Sequence, residues 1–323
     1  MPEFPRIGIT SGDPAGIGPE VVERWMASGP EIEGSVHLFG PTVWTRRLGS
    51  AYGCRGMGLG PDDYRPVAGH PDQMGARIAW ESLQAAARAC KAGELDAVVT
   101  GPVSKAALAE VGFVHPGQTE FFAEAWGGKP VMAFTGGRLR VALATWHVPL
   151  SEVPSSLNPD RLERAVRAVD WLARAEGVGG PRIGVCGLNP HAGENGILGT
   201  EEREWINPVL ARLKASGLGV GSAQPADSLF SRSLNGEFDA IVALYHDQGL
   251  GPVKTIDFDR SVNVTLGLSH VRTSPDHGTA FSIAGKGTAR WESLANAVTV
   301  AVRLAIHARA SGSFRSGEDQ LRT

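Results

Sequence analysis

Short apolar runs recur along the chain at wide intervals: "RIGIT", "SVHLFG", "LDAVVTGP", "VMAFTG", "LRVALAT", "RIGVCGLNP" and "FDAIVALYHDQ". They are rich in β-branched and other apolar residues, which predicts strands buried on both faces. Between several of them the apolar positions recur every three or four residues, the spacing of one helix face. "GARIAWESLQAAARACKAGE" is an alanine-rich example. "NPDRLERAVRAVDWLARAEG" opens on an Asn-Pro-Asp cap signal and stops at glycine. "SLANAVTVAVRLAIHARASG" is a third helix, near the C-terminus. Apolar strands alternating with helices predict an α/β chain with a largely parallel or mixed sheet covered on both faces.

At 323 residues the chain exceeds one ordinary core, so two lobes are expected. "GGKP" at 127–130 is the candidate crossing. The polar tail "SGSFRSGEDQLRT" reads as a frayed end. A net charge of −3 with scattered Lys and Arg lacks the basic stripe of a nucleic-acid groove. No apolar run reaches the roughly 20 residues of a membrane span. "MPEFPRIGIT" lacks the basic start and apolar core of a secretory signal. Cys54, Cys90 and Cys186 are an odd number without paired spacing, as expected of reduced thiols in a cytoplasmic protein.

In open α/β sheets, ligands bind beyond the carboxyl ends of strands. Three histidines fall there: His147 in "ALATWHVPL", His191 in "GLNPHAGENG" and His246 in "ALYHDQG". Singly, each reads as well as a surface or capping group. Together, flanked by Gly, Pro or Asn, they suit one divalent ion, since neutral imidazole binds zinc, cobalt, nickel or iron. The glycines after His246 would let the backbone approach that site. Asp247 is a candidate orienting group or ligand. Asp227 is either a site acid or a helix cap. Lys254, Asn263 and Arg272 form a candidate clamp for phosphate or carboxylate. Ser104 and Lys105, and Gln118 and Thr119, stand before predicted helices, where anions are favoured. No strand is followed by GxGxxG, no Walker loop is present, and there is no GxSxG elbow.

The motifs "TSGDPAGIGPE", "VTGPVSK", "GQTEFFAE", "GLNPHAGENG", "YHDQGLGPVK", "VNVTLGL" and "RTSPDHGTAFSIAGKG" run in order from about residue 6 to about residue 300. Together they resemble the 4-hydroxythreonine-4-phosphate dehydrogenase family of vitamin B6 biosynthesis. The resemblance implies a two-lobed α/β/α fold like that of isocitrate and isopropylmalate dehydrogenases. Residues 1–128 plus 272–323 would form one lobe with the cofactor loop. Residues 129–271 would form the other, with the metal histidines and dimer contacts. The active site would lie in the inter-lobe cleft at a homodimer interface. The metal ligands would be His147, His191 and His246, the third coming from the partner subunit. Zinc is the implied ion, with magnesium or cobalt as alternatives.

Substrate-binding positions fall on Gln118, Thr119, Lys254, Asn263 and Arg272, and cofactor positions on His277, Gly278 and Thr279. NAD is implied, with NADP left open by Ser282, which stands where the wider group often has an acidic residue. Lys254 and Asp247 are the catalytic candidates. The implied reaction oxidises 4-phosphooxy-L-threonine to a β-keto acid that then loses CO2. The chain departs from the family's Gly-His-Thr-Glu motif at Gln118. An amide hydrogen-bonds but carries no proton at neutral pH. Threonate or erythronate 4-phosphate and cyclic cis-diol carboxylates therefore stand as alternative substrates. A phosphate acyltransferase or a non-catalytic metal- or phosphate-binding protein are the readings from other classes.

Overall fold

Every one of the seven apolar runs contains a strand. The computed structural model describes residues 4–312, so the polar tail beyond 312 and the first three residues lie outside the described residues. In chain order the first elements are β1 (Arg6–Thr10), α1 (Gly18–Ala27), β2 (Ser35–Pro41), α2 (Thr42–Tyr52), β3 (Arg55–Leu59), α3 (Gln73–Lys91), β4 (Ala97–Thr100), α4 (Lys105–Glu110) and α5 (Gln118–Trp126). Next come β5 (Gly128–Thr135), β6 (Val141–Leu143), α6 (Val153–Ser156), α7 (Pro159–Ala175), β7 (Ile183–Val185), α8 (Asn207–Ala215), α9 (Ala226–Leu234) and β8 (Ala240–Ala243). The chain ends with α10 (His246–Asp257), β9 (Val262–Leu268), β10 (Val271–Pro275) and α11 (Glu292–Ser311). No helix among the described residues is long and apolar enough to cross a membrane.

The chain divides into two units, one of residues 4–128 with 268–310 and the other of residues 129–267. In the first, the strand order is β3-β2-β1-β4-β10, and the neighbouring strands pair in parallel. Ile7, Ile9, Val98 and Val99 are fully buried, as strands covered on both faces require. Helix α3 starts where the Asp72 carboxylate accepts the Gly75 N–H at 2.6 Å. Its face of Ala79, Leu83, Ala86 and Cys90 packs with Phe113, Phe121, Phe122 and Trp126.

In the second unit the order is β9-β5-β6-β8-β7. Strands β5 and β6 run antiparallel, while β6 and β7 both run parallel to β8. The cap signal before α7 is realised: Asn158 accepts the Arg161 N–H at 3.0 Å, and Pro159 fills the first helical position. Leu162, Val166, Val169 and Leu172 form the buried face.

Three strands escape the apolar pattern. β3 ("RGMGL") is an edge strand with an exposed face. β9 and β10 interleave Asn263, Thr265, Arg272 and Thr273 with apolar residues, although both are largely buried.

Candidate functional site

The second unit brings its histidines to one edge of its sheet. Because β6, β8 and β7 are parallel neighbours, the segments carrying His147, His246 and His191 all leave from their C-terminal ends. The exits of β6 and β8 are zipped together. The Ala144 N–H donates to the Ala243 carbonyl at 2.9 Å, and the Thr145 hydroxyl donates to the Leu244 carbonyl at 2.7 Å. The His147 and His246 rings consequently stand 5.7 Å apart, centre to centre. Two imidazoles on one tetrahedral ion, with metal–nitrogen bonds of about 2.0–2.1 Å, have ring centres roughly 5 Å apart, so this spacing fits a shared cation. Asp247 approaches the same pair, with its Oδ1 2.7 Å from His246 Nδ1. Among the described residues, no three His, Cys, Asp or Glu side chains gather closely enough to hold a metal within one chain.

His191 lies on a separate turn with an unusual backbone. His191, Ala192, Gly193, Glu194 and Asn195 all have positive φ, between 42° and 79°. A left-handed conformation costs a non-glycine residue about 1–2 kcal/mol, and runs of it are rare. His147 also has positive φ, at 51°. The His191 turn is clamped by the acidic pair that follows it. Glu202, only 2% exposed, accepts the Asn189 N–H at 2.8 Å and the Asn189 side-chain amide at 2.9 Å. Glu201 accepts the same amide at 2.7 Å. Its own backbone N–H and the Asn189 amide hold the Glu201 carboxyl below the usual range. A Cβ on Gly193 would stand 2.7 Å from Glu202 Oε2. No sequence signal marked Glu201 or Glu202.

The stretch "HDQGLG" differs from its expected form. The strand ends at Ala243 and α10 begins at His246, so these residues are helical rather than a glycine loop. Gly249 is buried against the sheet, where a Cβ would meet Leu143 at 2.7 Å and Ala243 at 3.0 Å. Its missing side chain lets α10 lie close on β6 and β8; it does not open the backbone to a ligand. Gln248 staples the edge: its Oε1 accepts the Leu244 N–H at 2.7 Å and its Nε2 donates to the Gly187 carbonyl at 2.8 Å. Lys254 follows two turns along α10, with its ammonium 5.4 Å from the centre of the Phe258 ring. Asn263 is half-buried near the start of β9. Asp227 is an exposed residue in the first turn of α9 and makes no cap hydrogen bond.

The first unit holds a different polar cluster. Arg272 on β10 is 5% exposed, and burial pulls its pKa down to about 10. Its Nη2 donates to Thr100 Oγ1 at 2.8 Å and to Gln118 Oε1 at 3.1 Å. Gln118 Nε2 in turn donates to the Gly101 carbonyl at 3.3 Å. Gln118 and the buried Thr119 open α5, whose cap position is Gly117, so Thr119 is not the cap. Ser104 does cap α4, accepting the Ala107 N–H at 3.3 Å.

Residues 277–279 face the glycine-rich turn after β1. The Ile17 N–H donates to the Thr279 carbonyl at 2.9 Å, and a Cβ on Gly16 would stand 2.9 Å from that oxygen. Gly278 is exposed, with open space where a side chain would be. A ligand can therefore lie against this backbone.

A family model described as pyridoxal phosphate biosynthetic protein PdxA matches residues 56–301. The chain is 40% identical to the 4-hydroxythreonine-4-phosphate dehydrogenase of Maricaulis maris, over 94% of this chain and 99% of that protein. It is similar to the crystal structure of a 4-hydroxythreonine-4-phosphate dehydrogenase from Burkholderia phymatum. That match has 36% identity and a TM-score of 0.77, and covers 93% of this chain and 98% of the other. A β-decarboxylating dehydrogenase from Thermococcus kodakarensis shares the fold alone, at 16% identity and a TM-score of 0.51, over 99% of this chain and 94% of that one. By these matches the chain belongs to the PdxA family of pyridoxal phosphate biosynthetic proteins.

Proposed function

We propose that the chain is a cytoplasmic 4-hydroxythreonine-4-phosphate dehydrogenase that uses a divalent metal and NAD or NADP. The observation that carries this reading is the pairing of the His147 and His246 rings at 5.7 Å on the C-terminal edge of the second unit. Those imidazoles, with His191 as a third, would hold zinc, magnesium or cobalt, and the donor chemistry favours zinc. The resemblance assigns His246 to the partner subunit, but His246 stands beside His147 in the same chain, so in this reading His191 is the ligand that the partner of a homodimer would supply. A bound ion would supply Lewis acidity that lowers the pKa of the reacting hydroxyl, and a nicotinamide would supply the hydride acceptor. His277, Gly278 and Thr279 would hold that cofactor along the open backbone at Gly278.

Arg272, with Gln118 and Thr119, binds the phosphate, and Asn263 adds a hydrogen bond to the substrate. A guanidinium fixed by Thr100 and Gln118 recognises a tetrahedral dianion without reorganising. Lys254 steadies the negative charge that grows on the substrate oxygen. Asp247 takes the hydroxyl proton, from a position already within hydrogen-bond reach of His246. The C3–H bond breaks with its electron pair leaving as hydride. The product, 2-amino-3-oxo-4-phosphooxybutanoate, is a β-keto acid. It loses CO2 because its ketone accepts the electron pair of the breaking C–C bond, giving 3-amino-2-oxopropyl phosphate.

The test is a nicotinamide-reduction assay with and without chelator. It offers 4-phosphooxy-L-threonine, threonate and erythronate 4-phosphates and a cyclic cis-diol carboxylate. Chelator-sensitive reduction with 4-phosphooxy-L-threonine as the best substrate is expected. Preference for the cis-diol would reassign the substrate. Metal uptake with no reduction of either nicotinamide would replace the dehydrogenase by a binding protein.

A further inference from the structure

We propose that Glu202 is a positioning residue for the metal site, setting the His191 imidazole by clamping the left-handed turn that carries it. This rests on the reading of His191 as a ligand. Four non-glycine residues of that turn lie in the left-handed region, a conformation a free loop would abandon. Something outside the turn must therefore hold it. Glu202 is the group placed to do so: both its oxygens accept from Asn189, two residues before His191, and it is buried.

The contact is shaped from both sides. Gly193, at the middle of the turn, leaves room for Glu202 Oε2, and a Cβ on Gly187 would stand 2.7 Å from the Ala192 Cα. Burying a carboxylate is unfavourable unless its oxygens are fully used. An apolar residue would fill the same space at lower cost but could not anchor Asn189. Retaining a carboxylate here is explained by the need to fix the turn, and with it the ring of His191. Groups that orient ligands in this way commonly change metal affinity 10- to 100-fold when removed, roughly.

The test is calorimetric titration of the purified full chain with zinc and with cobalt, alongside NAD titration and steady-state kinetics over a range of metal concentration. Glu202→Ala is expected to weaken zinc binding by about 10- to 100-fold. NAD affinity should be unchanged, and turnover should return at high metal concentration. A merely structural lesion would not be rescued by metal. Glu202→Gln keeps an acceptor for the Asn189 N–H but sets its amide N–H against the Asn189 amide, so an intermediate loss is expected. Gly193→Ala adds a methyl against Glu202 from the opposite side and should weaken zinc binding in the same direction, which keeps the test open should Glu202→Ala fold poorly.

His191→Ala is the reference. If it weakens zinc binding while Glu202→Gln and Gly193→Ala bind zinc like the parent, the positioning role is overturned and the metal reading stands. If His191→Ala itself binds zinc like the parent, both fall.

Discussion

The two units finish their strands in opposite ways. In the first, the polar group is a guanidinium carried within strand β10: Arg272 is almost wholly buried and is held by Thr100, at the end of β4, and by Gln118. In the second, His147 and His191 are exposed and sit on left-handed backbone, while His246 is half-exposed at a helix start. One edge is assembled before any ligand arrives. The other presents imidazoles at the surface, two of them side by side and the third on a separate turn. A recognition group benefits from preorganisation, because an anion then meets dipoles that need not move. Ligand groups for an ion can remain solvated, since the ion itself supplies the energy that gathers them.

Separate substitutions at the two edges test that contrast, and the second unit should give the larger effect. His246→Ala or His147→Ala removes one of two paired imidazoles. Lewis-acid assistance contributes several kcal/mol to the barrier, so a loss of about a thousandfold in turnover is expected. Because both side chains are at least partly exposed, the melting temperature should move little. Parallel turnover and calorimetric measurements check this. A variant that keeps its turnover and its metal affinity would dissolve the distinction between the edges.

Arg272→Met should cost less in rate but more in stability. Losing one charged hydrogen-bonding group to phosphate is worth about 1.5–3 kcal/mol, or roughly 10- to 150-fold in kcat/KM. The loss should appear mainly in KM for the phosphorylated substrate. Thr100 and Gln118 lose their buried donor at the same time, so thermal unfolding should come earlier. The pH dependence has a definite sign. Burial lowers the Arg272 pKa to about 10, well below the ordinary guanidinium value, so its charge weakens as pH rises through about 10. Phosphate affinity should fall there. The fold should behave in the reverse sense: the unfolded chain holds this proton more tightly, so the destabilisation from burying the charge fades as pH rises above about 10. Phosphate titrations and denaturant unfolding at alkaline pH separate the two.

Much of this contrast was legible in the sequence, for a physical reason. An apolar run long enough to be buried and then broken by His or Asn marks where a strand ends and polar groups begin, and that is how His147, His191 and His246 came to one edge. Parallel pairing of β6, β7 and β8 then makes equivalent sequence positions equivalent in space. What escaped depends on tertiary contacts. "PHAGENG" contains nothing that specifies five left-handed residues in succession; Glu202, further along the chain, holds them. Gly249 reads as a site glycine because sequence does not reveal that a helix must pass within contact of Leu143. Asp227 reads as either a cap or a site acid, but the cap position of α9 falls two residues earlier, at Pro225, so it does not serve as the cap.

A control at the opposite end of the first sheet sharpens the comparison further. Asp96, just before β4, accepts the Arg6 N–H at 2.7 Å and meets the Arg309 guanidinium, with Oδ1 2.9 Å from Nε. Burial alone would raise its pKa, but the hydrogen bonds from Arg6 and Arg309 outweigh it and hold the carboxyl below its usual range. A depressed carboxylate stabilises the fold above the unfolded value of about 3.9, and that contribution is lost as pH falls through the folded value. Asp96→Asn should therefore lower stability by about 1.5–3 kcal/mol at neutral pH and narrow the gap to the parent in acid. kcat/KM should stay unchanged where the variant is folded. A change in KM would mean that the two ends of this unit are coupled.

The smallest effect is expected at Gln118, where the resemblance leads one to expect a histidine. The amide accepts from Arg272 and donates to the Gly101 carbonyl, so a neutral imidazole in its place can make both bonds. Gln118→His should fold normally and keep turnover within a few-fold of the parent at neutral pH. The difference lies in protonation. An amide carries no charge at any working pH, whereas an imidazole gains one near pH 6.5. In the free protein Arg272 repels that charge, but a bound phosphate attracts it. The ratio of variant to parent kcat/KM should therefore rise a few-fold as pH falls through this range, and taking the ratio cancels the titration of the substrate's own phosphate. If the ratio stays flat, residue 118 does not face the phosphate, and Arg272 alone provides the anion recognition of the first unit.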